Sequence, residues 1–230
     1  MRVLGLDTAF ASVGVALWQG EPGEAGHVLV ARATPMDRGH GEALMPIVAE
    51  VMAEAGFGFD ALDRIAVTRG PGAFTGIRIG LAAARGLALG AGVPCIGVST
   101  FAAVAANVAE DERAGRPLLV AFDTKRGDFY AALVQGADAD VPSGQVVGLD
   151  GLADFVAGHG RVLVVGDGAA PAVEHLSRAG VDASQSAAAP LPDAVRVAEL
   201  AARLDATAHP PAPVYLRPPA VTLPGVGPVG

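Results

Sequence analysis

The sequence contains few cysteine, lysine and aromatic residues. The scarcity of cysteine and lysine limits the classes of protein to which the chain can belong. The single cysteine, Cys95, excludes an internal disulfide and suits a reducing compartment. Lys125 is the one lysine among 16 basic residues, the net charge is −8, and no basic stripe is present. Because strong binding to nucleic acid depends mostly on neutralising phosphates, we expect this chain to reach nucleic acid only through a partner.

Long apolar segments are also missing. No uninterrupted run reaches the roughly 18–20 residues that a membrane span needs. The opening MRVLGLDT is typical of a strand that ends in an acid and not of a signal peptide. With 51% apolar residues in 230, the chain can bury a sizeable core. We therefore expect a cytoplasmic protein with no membrane association.

The usual signatures of catalysis are absent. The five histidines are scattered, and none has the spacing of metal ligands, so we predict no metal site. We also predict no cofactor, with a weak nucleotide site at the subunit junction as the alternative. No Gly-x-Ser-x-Gly or Cys–His arrangement is present. Cys95 lies in the apolar run VPCIGV and fits a packed side chain better than a nucleophile.

Hydrophobic periodicity predicts alternating strands and helices. The predicted strands are Val3–Leu6, Val13–Trp18, Val28–Ala33, Ile65–Val67, Cys95–Val98, Leu119–Phe122 and Val162–Val165. The predicted helices are Gly41–Ala55, Ile77–Leu89, a segment after Val98 that runs to about Val108, Pro171–Ala179 and Ala194–Leu204. Pro46 is tolerable in the first of these helices only if it lies in the first turn.

The pattern then repeats. Val3–Thr8 recurs as Leu119–Thr124 without a gap, and Asp-Thr stands at the turn in both copies. We interpret this as an internal duplication. It predicts an N-terminal lobe over residues 1–110, a C-terminal lobe over 111–217 and a mobile, Pro/Gly-rich tail over 218–230. Two tandem α/β lobes, each with a mixed sheet flanked by helices, resemble the actin-like ATPase (ASKHA, ribonuclease H-like) fold.

In that fold Asp7 and Thr8 would belong to the first phosphate loop, and Asp123 would hold the matching place in the second lobe. Both acids are candidate metal or phosphate-site carboxylates. The simpler interpretation is that an acid at a strand end caps a turn.

The segment Gly70–Gly80 is a glycine-rich turn between a strand and a helix, which is where many proteins hold phosphate. A P-loop needs a lysine, and this segment has none. The spacing Gly70, Gly72, Gly76 is one residue too long for a dinucleotide fingerprint. A structural turn at Gly70, Pro71 and Gly72, with Thr75 as the helix N-cap, fits better.

Two apolar helices indicate a binding face. Small residues recur every four positions after the glycine turn and form one smooth face that lets another backbone approach closely. The helix before them also has a broad apolar stripe. The predicted partner or dimer interface comprises Leu44, Ile47, Val48, Val51, Met52, Thr75, Gly76, Ile77, Gly80, Leu81, Ala84 and Ala88. The alternative is that the chain's own sheet covers these faces.

Four segments together resemble the bacterial TsaB (YeaZ) family: MRVLGLDTAFASVGVAL, RGPGAFTGIRIGLAAARGLALG, VPCIGVSTFAAVA and PVYLR. The resemblance covers about residues 1–134 and 213–217 and is thin in between. It implies an actin-like fold without catalysis, a homodimer, and association with TsaD, which transfers a threonylcarbamoyl group to tRNA adenosine, and with the ATPase TsaE. Both pairings would use the helices at about Gly41–Ala55 and Thr75–Gly90, and tRNA would be reached only through the complex.

The resemblance also implies a loss. The catalytic homologue has a His-x-x-x-His metal pair where this chain has Thr100 and Val104, and valine cannot bind a metal. The alternative function is a nucleotide-dependent enzyme of the sugar-kinase type, with Asp7 as the metal-organising carboxylate and Gly166–Gly168 as a weak candidate loop for adenosine. A metallopeptidase is a third interpretation, against which the missing histidine pair argues.

Overall fold

The computed structural model describes residues 1–21, 26–135 and 143–217. The predicted tail, 218–230, lies outside the described residues. The strands are β1 (Arg2–Asp7), β2 (Ser12–Gln19), β3 (His27–Pro35), β4 (Arg64–Thr68), β5 (Cys95–Val98), β6 (Leu118–Asp123), β7 (Asp128–Val134), β8 (Gln145–Gly148), β9 (Val162–Val165) and β10 (Ala183–Gln185). The helices are α1 (His40–Ala55), α2 (Phe74–Ala91), α3 (Thr100–Ala105), α4 (Glu110–Arg113), α5 (Leu152–Phe155), α6 (Ala169–Arg178) and α7 (Ala194–Arg203).

The strands form two five-stranded mixed sheets with the same topology. The first has the order β3-β2-β1-β4-β5 and the second β10-β9-β6-β7-β8, which is the same order written from the other edge. In each sheet three consecutive antiparallel strands are followed by two parallel strands that helices connect. The two predicted α/β lobes are thereby confirmed.

The sequence repeat and the structural repeat differ by one residue. The ungapped match pairs Leu4 with Val120. Leu4 packs in the core beneath α1 and α2, whereas Val120 packs on the opposite face of its sheet, beside α3. Leu119 holds the place beneath α5 and α6 that corresponds to Leu4. Because alternate residues of a strand point to opposite faces, a shift of one residue exchanges the two faces.

The last helix packs on the first lobe. Val197 and Ala201 of α7 lie in one core cluster with Val3, Ala66 and Ile96 of the first sheet. Although α7 falls within residues 111–217, the range predicted for the C-terminal lobe, it covers the first sheet. The lobe boundaries drawn from the sequence stay a prediction. The amphipathic pattern of α7, VRVAELAARL, fixes which face is buried but not which sheet it covers.

The position of Pro46 contradicts the expectation that this proline lies in the first turn of its helix. It lies inside α1 and beyond the first turn. Proline removes the hydrogen bond to the carbonyl oxygen of Glu42, but both residues are exposed, so water can solvate that oxygen.

The start of α2 contradicts the prediction that Thr75 is the helix N-cap. The helix begins at Phe74 with Ala73 at the N-cap position, and no side chain caps it. Thr75 therefore lies within the first turn and is not the predicted cap.

Several short elements escaped prediction. These are β8, β10, α4 and α5, each of three or four residues. The helix after Val98 ends at Ala105, earlier than predicted. No helix of the described residues is both long and apolar enough to cross a membrane.

Candidate functional site: the glycine turn, the interlobe cleft and the outer groove

Protein groups already fill the glycine turn. A Cβ on Gly70, where φ is 113°, would lie 2.5 Å from the carbonyl oxygen of Val214. A Cβ on Gly72 would lie 2.6 Å from the carbonyl oxygen of Ala9. The amide of Ala73 donates to that same oxygen at 2.7 Å. These glycines allow two backbone segments to approach closely, as the structural interpretation of the turn requires.

The loop after β1 is tied to the protein in the same way. The Thr8 hydroxyl donates to the carbonyl oxygen of Gly76 at 2.8 Å. The Asp7 carboxylate accepts hydrogen bonds from the Thr68 hydroxyl at 2.6 Å and the Ala9 amide at 3.2 Å. Both Asp7 and Thr8 are fully buried. They have structural partners here, and their role as a vestigial phosphate loop stays a prediction.

Asp7 is electrostatically unusual. Burial raises the pKa of its carboxyl group from 3.8 to about 6, although the hydrogen bonds from Thr68 and Ala9 oppose this. Its second oxygen, Oδ2, is buried and has no hydrogen-bond partner among the described residues. The protonated form is therefore favoured relative to an exposed aspartate.

The corresponding turn of the second lobe is open. Asp123, Lys125 and Asp167 line a cleft of about 1060 Å³ between the lobes. Lys125, at φ 60°, donates from Nζ to Asp123 Oδ2 at 2.9 Å, and its side chain lowers the pKa of the Asp123 carboxyl group. Partial burial raises the pKa of Asp167. Asp7 is not among the residues that line this cleft.

Most of the predicted interface residues are internal. Thr75 is exposed and Ile47 is half-buried. The other ten are buried in the first lobe: Leu44, Val48, Val51, Met52, Gly76, Ile77, Gly80, Leu81, Ala84 and Ala88. A Cβ on Gly76 would lie 2.0 Å from the carbonyl oxygen of Thr8, so the small-residue face of α2 packs on the chain's own loop after β1.

The opposite face of the two helices carries a shallow apolar groove of about 430 Å³, which we call the outer groove. It is lined by Met45, Phe59, Ala82, Ala83, Gly86, Leu87, Gly90 and Ala91. Leu89 lies beside it in sequence and is 86% exposed. A Cβ on Gly86 or Gly90 would meet no atom within 4 Å.

The sequence contained a signal for this groove. Ala82, Gly86 and Gly90 form a second row of small residues at four-residue spacing. The sequence spacing of the two rows is the same, so only the structure shows which row faces the sheet.

The positions of the missing histidine pair lie inside the protein. Thr100 and Val104 are fully buried in α3. Val104 packs in the cluster that joins α3 to the second sheet. Within the described residues, no group of three or more histidine, cysteine, aspartate or glutamate side chains is placed to hold a metal.

Two α/β lobes of equal topology with a cleft between them define a protein of the actin-like ATPase fold. A structure titled ROK hexokinase from Thermus thermophilus shares this fold, with a TM-score of 0.51, 16% identity and coverage of 87% of this chain and 97% of that one. The sequence model of the family described as "TsaD: tRNA N6-adenosine threonylcarbamoyltransferase" matches residues 34–204. The chain belongs to this family. Within it, the chain is similar to proteins named TsaB and YeaZ.

Two comparisons describe this similarity. The Escherichia coli protein named "tRNA threonylcarbamoyladenosine biosynthesis protein TsaB" is 38% identical over 135 residues, which are 59% of this chain and 55% of that protein. The chain thus matches about half the length of this curated relative. The structure titled "YeaZ from Pseudomonas aeruginosa" aligns with a TM-score of 0.72 and 27% identity over 94% of this chain and 99% of that one.

Proposed function

We propose that the chain is a non-catalytic scaffold subunit in bacterial tRNA threonylcarbamoyladenosine biosynthesis. In this proposal it binds the catalytic subunit TsaD through the outer groove and acts together with the ATPase TsaE in the cytoplasm. It needs no cofactor of its own, and tRNA contacts it only through the complex. The observation that carries the proposal is the unfilled apolar groove on α1 and α2.

The two groove glycines support close docking. Glycine inside a helix costs roughly 0.5–1 kcal/mol relative to alanine, and the space around Gly86 and Gly90 is open in this chain. The chain's own packing therefore does not require glycine at either position. A partner helix that approaches the backbone closely would require it.

The exposed apolar side chains support the same surface. Met45, which lines the groove, is 43% exposed, and Leu89, next to Gly90 in sequence, is 86% exposed. An interface of standard size buries on the order of 1,600 Å² in total, which two helices from each partner can supply. A homodimer would use this same groove, so we expect homodimer and complex to exclude each other.

Contacts among three phenylalanines favour a scaffold function over an enzyme whose lobes move during catalysis. Phe122 of the second lobe contacts Phe10 of the first lobe and Phe101 of α3, with ring centroids 4.7 and 5.3 Å apart. Helix α3 packs in the core clusters of both sheets. Phe101 and Phe122 are buried. A large apolar contact between lobes opposes the hinge motion by which two-lobed enzymes close on a substrate.

The position of Asp7 supports the same conclusion. A metal-organising carboxylate must reach the nucleotide, and Asp7 is buried away from the cleft lining.

Reconstitution tests the role directly. Purified TsaD, TsaE, substrates and tRNA are assayed for threonylcarbamoyladenosine with and without this chain. We expect modification only when the chain is present. Full activity in its absence would contradict the proposal.

The open cleft favours a second candidate, a nucleotide-dependent enzyme of the sugar-kinase type. Asp123, Lys125 and Asp167 are placed to meet a magnesium-bound phosphate there. Calorimetry with Mg-ATP on the isolated chain separates the two candidates, with Asp123→Asn as the matched variant. Micromolar binding with turnover that is lost in Asp123→Asn would favour the enzyme, and no binding would favour the scaffold.

A further inference from the structure

Residues 205–217, which follow α7, run from the first lobe to the second across the mouth of the cleft. We call them the C-terminal strap. The strap begins at the end of sheet strand β5, where the amide of Gly97 donates to the carbonyl oxygen of His209 at 2.9 Å. It then passes the glycine turn, where the amide of Val214 donates to the carbonyl oxygen of Arg69 at 2.8 Å.

Two glycines of the first lobe form a seat for this segment. A Cβ on Gly97 would lie 2.5 Å from the carbonyl oxygen of Pro210, and a Cβ on Gly70 would lie 2.5 Å from that of Val214. Both atoms are backbone, so neither can move aside cheaply. Gly70, the first glycine of the RGPG turn, thus allows the backbone of the strap to approach closely at Val214.

The exposed side of α2 holds the strap as well. Arg85 donates to the carbonyl oxygen of Pro211, and Arg78 Nε donates to the Tyr215 hydroxyl at 3.0 Å. The rings of Tyr215 and Phe74 are 5.1 Å apart, and the Arg78 guanidinium lies 3.8 Å above the Phe74 ring. The strap therefore follows α2 back toward its N-terminal end.

The far end of the strap is attached to the second lobe. Arg217 forms an ion pair with Asp128, the first residue of β7, and both side chains are largely buried, at 26% and 17% exposed. Leu216 packs against the cluster that contains Phe122. One short segment therefore connects α2, the glycine turn and the second sheet.

We propose that the C-terminal strap is an interlobe clamp, which fixes the angle between the lobes and the orientation of α2 relative to the second lobe. Its seat at Gly70 and Gly97 anchors one end, and the Arg217–Asp128 pair closes the other. The clamp acts whether or not the outer groove has a partner, so it stands independently of the proposed function.

An interlobe distance measurement tests the clamp. Spin labels are attached at Glu50→Cys on α1 and Ser177→Cys on α6, two exposed positions, in a Cys95→Ser background. The unclamped variants are Arg217→Gln, which removes the ion pair, and Tyr215→Ala, which removes the contacts with Arg78 and Phe74. We expect a narrow distance distribution in the parent and a wider one in both variants.

Two further variants make the test specific. The exchange of Asp128→Arg with Arg217→Asp restores the pair with reversed charges, and we expect it to recover the narrow distribution. Glu174→Gln removes a surface ion pair with Arg178 on α6 and should leave the distribution unchanged. Superimposable distributions for the parent, Arg217→Gln and Tyr215→Ala would overturn the clamp, as would equal widening in Glu174→Gln.

Discussion

Thr8 donates its hydroxyl proton to the carbonyl oxygen of Gly76 at 2.8 Å, which ties the loop after β1 to the first turn of α2. The contact needs glycine on the helix, because a Cβ on Gly76 would lie 2.0 Å from the Thr8 carbonyl oxygen. The small-residue face of α2 therefore has an internal purpose, and only its opposite face is free for a partner.

This arrangement predicts opposite effects for two glycines of one helix. Gly76→Ala forces a methyl group against backbone and should lower the free energy of unfolding by about 1–3 kcal/mol. Gly86→Ala adds a methyl group in open space and should raise it by roughly 0.5–1 kcal/mol. Urea denaturation of the two variants measures both changes. Effects of the same sign would show that the packing of α2 is misassigned.

Asp7 predicts a pH-dependent stability. Because its pKa is about 6 in the folded protein and 3.8 when unperturbed, the folded state binds the proton more tightly. The stability that protonation contributes is complete below pH 4 and is lost as the pH rises through 6. A shift of about two units corresponds to about 3 kcal/mol. Asp7→Asn, which resembles the protonated carboxyl group, should therefore gain about 3 kcal/mol relative to the parent between pH 4 and pH 7.5.

Asp205 is the control for this prediction. Hydrogen bonds from the Thr207 amide and hydroxyl lower the pKa of its carboxyl group, which is the opposite direction. The pH dependence that Asp205 contributes therefore lies below pH 3.8, and Asp205→Asn should differ from the parent by a constant amount between pH 4 and pH 7.5. Denaturation curves at pH 4, 5.5 and 7.5 measure all three proteins. A stability difference between Asp7→Asn and the parent that is constant with pH would refute the assignment.

The phenylalanine contact predicts coupled unfolding of the lobes. Phe122→Ala removes a buried ring that contacts Phe10 and Phe101, and should cost about 3–5 kcal/mol. Because this ring joins the lobes, we expect calorimetry to resolve two transitions in the variant and one in the parent.

Phe129→Ala is the matched control, since it removes an equally buried ring from the core of the second lobe alone. It should lower the stability and keep a single transition. Two transitions in both variants, or in neither, would contradict the role given to Phe122.

The sequence predicted the central strands well, because their apolar runs are bounded by turn residues. Cys95–Val98 and Val162–Val165 match the observed strands β5 and β9 to the residue. The three-residue strand β10 is partly polar and depends on pairing with β9, which no local pattern reveals.

The candidate site was predicted less well for a physical reason. Periodicity shows that α2 has small-residue rows, but both rows have the same spacing. Only the close approach of Thr8 to Gly76 and Gly80 shows which row the sheet occupies. The strap could not be predicted either, because its contacts join residues that are far apart in sequence, such as Arg217 and Asp128.

Two glycines, one in the outer groove and one outside it, test whether this groove binds the catalytic subunit. Gly86→Arg places a large charged side chain in the groove without disturbing the fold, since the space around Gly86 is open within this chain. Gly148→Arg is the matched control, because Gly148 is equally open and lies on the second lobe.

Isothermal titration of TsaD into the parent and the two variants measures the affinity, after a melting temperature has confirmed that each protein is folded. We expect Gly86→Arg to weaken binding at least about 100-fold, equivalent to about 2.7 kcal/mol, and Gly148→Arg to bind like the parent. Parent-like affinity in a folded Gly86→Arg variant would contradict binding through this groove.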